Sequence, residues 1–288
     1  MRKTALLLVL LILLPVFLCP ASAELYLDQE PPAEWADRTD VLRLTTFPTL
    51  INDCFLLEVG GKSMLIDGGV QKWGFKLSDA LNELGFQHVD IIFNTHPHND
   101  HLECVTWLLK KRLTADEFWS GLPETFRDDM QQAAVKQLQK SGIPYHQLSQ
   151  YETVDFGGAT LVFYWWEDAF DLNARSVQLH ITFGERTMLL SADIGGEAQQ
   201  NLLKQVPPEL LKADILKYPH HALTAARGDY MTAVSPEFVF VTNRKINIPK
   251  VMEQLDYRHI PARFTTAGRM VIATDGKDWY IVQYIDKF

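Results

Sequence analysis

Short hydrophobic runs alternate with segments of helical periodicity along the chain from Val41 onwards. The apolar runs have strand length, and Gly60-Gly61 between two of them predicts a hairpin. We predict strands at 52–59, 62–66, 89–94, 160–166, 177–183, 187–191, 213–217, 238–242, 271–274 and 279–284. We predict helices at 76–84, 124–140, 199–205 and 250–256. Strands that alternate with helices but also form hairpins indicate an α/β (α+β) protein whose mixed sheets are covered by helices.

The first 23 residues have the pattern of a signal peptide. Arg2 and Lys3 form a basic start, an apolar run covers 5–19, and Ala21-Ser22-Ala23 supplies the small residues of a cleavage site. The apolar run is shorter than the roughly 20 residues that span a bilayer. We therefore predict cleavage after Ala23, a secreted or extracytoplasmic location with no membrane segment left, and one domain over residues 24–288.

Acidic residues outnumber basic ones, with 36 Asp and Glu against 27 Lys and Arg and a formal net charge of −9. Such a chain has no general attraction for nucleic-acid phosphates, and we see no patch that would bind nucleic acid. Two cysteines remain after the predicted cleavage, Cys54 and Cys104. An oxidising compartment allows a disulfide between them, and two buried free thiols are the alternative.

The densest cluster of reactive side chains is Thr95-His96-Pro97-His98-Asn99-Asp100-His101, directly after a predicted buried strand. We expect His96 and His98 to point toward one metal ion, and Asp100 and His101 toward a second ion about 3.5–4 Å away. Nitrogen and oxygen ligands of this type suit Zn²⁺, with Mn²⁺ or Fe²⁺ as alternatives. The structural alternative is a polar helix start capped by Asp100, but three histidines and an aspartate in one loop have little structural use.

With this cluster the sequence resembles the metallo-β-lactamase superfamily, whose signature is His-x-His-x-Asp-His. Leu65-Ile66-Asp67-Gly68-Gly69 and Leu190-Ser191-Ala192-Asp193 match two further motifs. The resemblance implies a four-layer αββα sandwich with two mixed sheets, in which Asp67 supports a metal-binding histidine and Asp193 bridges both metals. Without the resemblance, Asp67 also fits a turn, and Asp193 a helix cap before Glu197.

Other segments resemble the hydrolase domain of the DNA-uptake protein ComEC and its free-standing secreted relatives. These segments are Asn173-Ala174-Arg175-Ser176-Val177, Leu216-Lys217-Tyr218-Pro219-His220-His221, Thr242-Asn243, Pro249, 265–268 and 274–276. The resemblance implies that His221 binds the metal held by Asp100 and His101, while His220 faces the substrate and stabilises charge on its oxygen, although the two histidines could exchange roles. Lys217 is a candidate contact for a substrate anion, or an ordinary flanking lysine.

The chain departs from the family pattern at two positions. Most superfamily members have a third histidine for the first metal, but here that interval contains His146 and His180, which we expect to be structural. Asn173 lies in this stretch in the ComEC subgroup, as a weak ligand or a holder of water. We therefore expect two metals, with the first position weaker. The second departure is Ala222, where the subgroup has glycine followed by serine.

These residues together predict a secreted zinc-dependent hydrolase that attacks its substrate with a metal-bound hydroxide. By resemblance, the substrate is a phosphodiester or another small molecule, with His220 stabilising the oxyanion and Asp100 handling the proton. One alternative is a lactone or β-lactam hydrolase with the same metal ligands. The other is a non-catalytic metal-binding protein, which the missing third histidine suggests.

Overall fold

Sixteen strands form two β-sheets in the computed structural model, which describes residues 23–111, 113–285 and 288. The first sheet contains β1 (Leu25–Leu27), β2 (Leu42–Thr46), β3 (Phe55–Val59), β4 (Lys62–Ile66), β5 (His88–Asn94), β6 (Thr114–Ser120), β7 (Tyr145–Gln147), β15 (Gly268–Thr274) and β16 (Trp279–Ile285). The second contains β8 (Thr153–Phe156), β9 (Ala159–Tyr164), β10 (Gln178–Phe183), β11 (Arg186–Leu190), β12 (Ile215–Lys217), β13 (Phe238–Val241) and β14 (Ala262–Phe264). The helices in the same residues are α1 (Gly74–Glu83), α2 (Asn99–Lys110), α3 (Asp129–Ser141), α4 (Gly196–Gln205), α5 (Pro208–Leu211), α6 (Gly228–Val234) and α7 (Pro249–Tyr257).

Both sheets are mixed, and each has an antiparallel part and a parallel part. The first sheet has the order β1-β16-β15-β2-β3-β4-β5-β6-β7, and its strands β4 to β7 run parallel. The second has the order β14-β13-β12-β11-β10-β9-β8, with β11 to β14 parallel. Because parallel strands carry their carboxyl ends at one edge, the loops that follow these strands are brought together there.

The hydrophobic core lies in three layers. The central cluster packs the inner faces of the two sheets together and includes Phe55, Phe163 and Phe240. A second cluster packs α1, α2 and α3 on the first sheet, and a third packs α4 to α7 on the second. In β4, for example, Met64 and Ile66 belong to the central cluster and the intervening Leu65 to the helical one. The predicted four-layer αββα sandwich with two mixed sheets is therefore confirmed, and strands buried on both faces explain the continuous apolar runs.

Glycine pairs hold the hairpin tips of the two sheets against each other. Gly157, at the β8–β9 turn, has φ +61°, and a Cβ there would overlap the carbonyl of Val59 beside Gly60. Gly184, at the β10–β11 turn, has φ +59° and lies against Gly276 in the same way. Each tip needs glycine both for its left-handed backbone and for the close approach.

Several element boundaries differ from the sequence-based expectation. The helix expected at 124–140 begins only at Asp129, because the Asp128 side chain caps it by accepting a hydrogen bond from the backbone N–H of Gln131 at 2.9 Å. The lead-in before Val41 contains β1, which pairs in parallel with β16. These contacts are 254 residues apart, so no local pattern announces them.

The predicted signal peptide lies outside the described residues except for Ala23. Among the residues that are described, none of the helices is long and apolar enough to cross a bilayer. Cys54 and Cys104 are both buried free thiols.

Candidate metal centre

The candidate site residues converge at the carboxyl ends of parallel strands from both sheets. They come from the segments after β4 (Asp67), after β5 (His96, His98), in the first turn of α2 (Asp100, His101), after β11 (Asp193) and after β12 (His220, His221). The structure brings all of the predicted metal ligands to this edge.

The first turn of α2 is fixed by backbone hydrogen bonds to two neighbouring loops. The Asp100 carbonyl accepts from Asp53 N–H at 3.3 Å, and the His101 carbonyl accepts from Gly68 N–H at 2.7 Å. His98 is the N-cap residue of the helix. The segment is therefore not wholly a loop: Asp100 and His101 lie in the first turn of α2, as the structural alternative proposed, but the helix is not capped by Asp100. The helix start is what directs their side chains into the site.

Four side chains form a compact group with the ligand types of a metal site. Asp100, His101, Asp193 and His221 each offer one atom, and these atoms all lie within 4.8 Å of one another. The Asp193 Oδ2 atom lies 3.3 Å from His101 Nε2 and 3.1 Å from His221 Nε2, and Asp100 Oδ2 lies 3.3 Å from His221 Nε2. The Nε2 atoms of His101 and His221 are both buried and make no hydrogen bond to any described residue. Buried polar atoms normally have a partner, so this donor set fits a cation between the two imidazoles and the two carboxylates.

His96 and His98 form a second, less complete group beside the first. His96 Nε2 lies 3.0 Å from His98 Nδ1 and 3.9 Å from Asp193 Oδ2. Asn173 Nδ2 lies 3.4 Å from His220 Nε2, and its Oδ1 atom has no hydrogen-bond partner among the described residues. A second cation between these groups would share Asp193 with the first.

The other two candidate histidines lie elsewhere. His146, on β7, has its Nε2 atom 2.7 Å from Glu152 Oε1. His180, on β10, has its Nε2 atom 2.9 Å from the Lys212 carbonyl. Neither joins the site, as expected from the sequence.

Asp67 holds the base of the site together. Its Oδ2 atom lies 2.7 Å from His101 Nδ1 and accepts a 2.7 Å hydrogen bond from the Thr95 hydroxyl. Its Oδ1 atom accepts from Thr95 N–H at 2.9 Å and from Asn94 Nδ2 at 2.8 Å. Because Asp67 occupies Nδ1 of His101, the ring presents Nε2 to the site.

Lys217 does not face a substrate, contrary to the expectation that it contacts a substrate anion. Its side chain is fully buried, and Nζ lies 2.7 Å from the Ala192 carbonyl, 3.3 Å from Asp193 Oδ1 and 2.5 Å from Asp53 Oδ2. Three oxygens satisfy the three N–H groups of the ammonium, which leaves none for a substrate. Lys217 therefore supports Asp193 from behind.

Asp53 is a site residue that the sequence reasoning missed. It is 1% exposed, contacts Lys217, and places Oδ1 3.4 Å from His221 Nδ1. The same His221 nitrogen lies 2.8 Å from the Thr242 hydroxyl. The available signal was Asp53, one of two carboxylates in the mainly apolar run 52–59, since a charge that becomes buried needs a partner.

The paired histidines have an unusual backbone. His220, His221 and Ala222 have φ values of +47°, +50° and +59°, which place three consecutive non-glycine residues in the left-handed region. The His220 N–H donates to the Ala192 carbonyl at 3.0 Å, and the His221 carbonyl accepts from Asn243 Nδ2 at 2.9 Å. These bonds hold a conformation that L-residues disfavour.

The carboxylates of the site control the protonation of its imidazoles. Burial lowers the pKa of His221, but the nearby Asp193 and Asp53 carboxylates outweigh it and raise that pKa to about 10. His101 is also buried, and Asp193 and Asp67 raise its pKa well above the usual value. In contrast, burial and the neighbouring His101 lower the pKa of His96. The group around Asp193 therefore attracts positive charge, whether from protons or from a metal ion.

A cleft of about 360 Å³ opens beside the histidines. Its lining includes His98, Asn173 and His220 from the site, together with Phe170 and Glu197. Burial lowers the pKa of the His220 imidazole, so this ring is neutral near pH 7. The described residues that line the cleft include no lysine or arginine.

Residues 48–234, more than half of the chain, match the family model of the metallo-β-lactamase superfamily. The chain therefore belongs to this superfamily, whose members are generally hydrolases, and it carries a candidate site for two metals. None of the curated proteins compared with the chain matches it.

Two solved structures illustrate the similarity of fold. The metallo-β-lactamase fold protein YhfI from Bacillus subtilis is 15% identical with a TM-score of 0.52, over 78% of this chain and 96% of YhfI. CmlA, a diiron β-hydroxylase from Streptomyces venezuelae, is 15% identical with a TM-score of 0.53, over 80% of this chain and 53% of CmlA. The chain thus spans about half the length of CmlA.

Proposed function

We propose that the chain is an exported, metal-dependent hydrolase that cleaves phosphodiester bonds, with zinc as its natural metal. The observation that carries the proposal is the pair of buried ring nitrogens, His101 Nε2 and His221 Nε2, which lack hydrogen bonds and face two carboxylates. The phosphodiester assignment rests on the ComEC-like segments around Asn173 and His220, both of which line the cleft.

The residues have separable roles in this proposal. Asp100, His101, Asp193 and His221 would hold one ion, and His96 and His98 would hold a second that shares Asp193. When bound, zinc lowers the pKa of a coordinated water to about 7 and polarises the substrate oxygen. Asp100, with 26% of its side chain exposed, is the most accessible of the first four and can carry the proton toward the cleft. His220 is positioned to contact the substrate oxygens.

A lactone or β-lactam hydrolase is the second candidate, and the charge of the cleft favours it. Asp171 and Glu197 line the cleft, and none of its described lining residues is a lysine or arginine. A neutral lactone meets no repulsion from these carboxylates, whereas a phosphodiester anion does.

The test combines metal analysis with a substrate panel. Protein purified without chelator is analysed for zinc, manganese and iron, the last because one structural neighbour is a diiron enzyme. We expect about one to two metal atoms per chain and hydrolysis of chromogenic phosphodiesters in preference to lactones and β-lactams. His101→Ala and Asp193→Ala should abolish both metal and activity, whereas His146→Ala, outside the site, should retain them. Metal-free protein that takes up no added metal would refute the proposal, and a preference for lactones would favour the second candidate.

A further inference from the structure

The two carboxylate oxygens of Asp193 have different surroundings. Oδ2 faces the histidines, at 3.1 Å from His221 Nε2 and 3.3 Å from His101 Nε2. Oδ1 lies 3.3 Å from the Lys217 ammonium. An ammonium and a metal ion compete for carboxylate oxygens, so Lys217 keeps Oδ1 from the metal site.

Lys217 is itself fixed by Asp53. Both side chains are at most 1% exposed, and the Lys217 Nζ atom is 2.5 Å from Asp53 Oδ2. A buried ammonium without a partner is unfavourable, and Asp53 supplies the compensating charge. Asp53 also contacts His221 Nδ1, and its backbone N–H donates to the Asp100 carbonyl. It therefore supports His221 and Asp100 directly, and Asp193 through Lys217.

We propose that Asp53 and Lys217 form a positioning pair that occupies Oδ1 of Asp193, so that Asp193 meets the metal through Oδ2 alone. The inference rests on the proposed metal-dependent function. It assigns to both residues a role in setting the coordination number of the metal and not only in folding. Their opposite charges make the pair neutral, so replacing both leaves the net charge of the buried site unchanged.

The experiment uses cobalt(II) as the probe, because the coordination geometry of this ion is visible in its absorption spectrum. Metal-free full-length chain is titrated with cobalt(II) for the natural protein, for Lys217→Met, for Asp53→Asn and for the double variant. Affinity comes from calorimetry, and thermal unfolding of the metal-free proteins reports stability. Arg186→Met is the matched control. Arg186 forms an ion pair with Asp214, with 3.6 Å between the charged atoms, and this pair lies outside the site.

We expect each single variant to bind cobalt(II) on the order of 10- to 100-fold more weakly, as for other residues that orient ligands. The double variant should fold more stably than either single variant, because neither Lys217 nor Asp53 is left as a buried charge without the other. Its spectrum should still differ from that of the natural protein, toward higher coordination number, because Oδ1 is free to bind. Arg186→Met should lower thermal stability and leave the spectrum unchanged.

The spectrum of the double variant decides the question even if a single variant does not fold. A spectrum identical to that of the natural protein would overturn the positioning role and leave the metal-dependent function standing. If the natural protein binds no cobalt(II), the proposed function fails as well. A double variant with an altered spectrum, beside an unaltered Arg186→Met, supports the positioning pair.

Discussion

At the scale of single residues, several candidate site residues have left-handed backbone themselves or directly follow a residue that has it. Asp67 has φ +52°, Ala192, directly before Asp193, has φ +46°, and His220 and His221 have φ +47° and +50°. Such conformations cost non-glycine residues roughly 1–2 kcal/mol each. The surrounding hydrogen bonds hold them, and the resulting sharp bends turn side chains from three strand ends toward one point. Strained backbone of this kind is concentrated at functional sites.

Asp67→Asn tests whether the contact with His101 orients a metal ligand. Asparagine tolerates the left-handed backbone, but its amide presents N–H groups to His101 Nδ1, where the carboxylate accepted a hydrogen bond from the ring N–H. The ring proton then moves to Nε2, which can no longer bind a metal. We expect metal affinity, measured by calorimetry, to fall on the order of 10- to 100-fold.

Asp90→Asn is the control for this substitution. Asp90 also accepts hydrogen bonds between neighbouring strands, from the Ser63 N–H and hydroxyl, but away from the site. Equal losses of metal affinity in the two variants would mean that Asp67 acts only through stability.

Asn173→His tests the inequality of the two metal positions. The unpartnered Asn173 Oδ1 is a neutral and poorer ligand than imidazole, and His96 and His98 lack a third imidazole. We expect two binding steps in the natural protein, with the position of Asp100, His101 and His221 filling first. The substitution should tighten the weaker step about tenfold or more and leave the stronger one unchanged. Two equal steps, or no effect of the substitution, would show that another residue completes this position.

At the scale of elements, the site depends on how the strands are joined at both ends of the sandwich. The candidate ligands follow parallel strands and lie at one edge of the sheets. The hairpin tips of the two sheets contact each other through Gly60–Gly157 and Gly184–Gly276. Close-packed interiors have low compressibility and transmit strain, so a shift of one sheet against the other would reach the site, and a fixed register keeps Asp193 near His101.

Gly157→Ala should destabilise the fold by more than about 2 kcal/mol, the sum of a left-handed backbone penalty and forced separation of two tips. Gly142→Ala is the matched control, because Gly142 has φ +69° but a Cβ there meets nothing within 4 Å. It should lose only about 1 kcal/mol. Urea unfolding gives both free energies, and equal losses would mean that the contact between the tips contributes nothing.

At the scale of the whole molecule, local motifs predicted the centre of the site, but its long-range supports were not predictable. His96 to His101 are adjacent in sequence, and Asp193 follows an apolar strand, so pattern and resemblance together located them. Asp53 precedes β3 and Lys217 ends β12, so the two residues are far apart in the sequence. Only the fold shows that each neutralises the other. The same limit applies to β1, whose partner strand is at the other end of the sequence.

Charge is also a property of the whole molecule, since the chain has a net charge of −9 and the described lining of its cleft contains Glu197 but no lysine or arginine. Anionic substrates should therefore be repelled at low ionic strength, and added salt should lower their KM.

Glu197→Gln should lower the KM of an anionic chromogenic substrate about two- to fivefold, the effect of one exposed charge several ångströms away in water. This advantage should disappear near 1 M salt, where the screening length is about 3 Å. Glu209→Gln makes the same change in net charge on another surface and should leave KM unchanged. If both variants lower KM equally, the field of the whole protein, and not the carboxylate in the cleft, governs substrate approach.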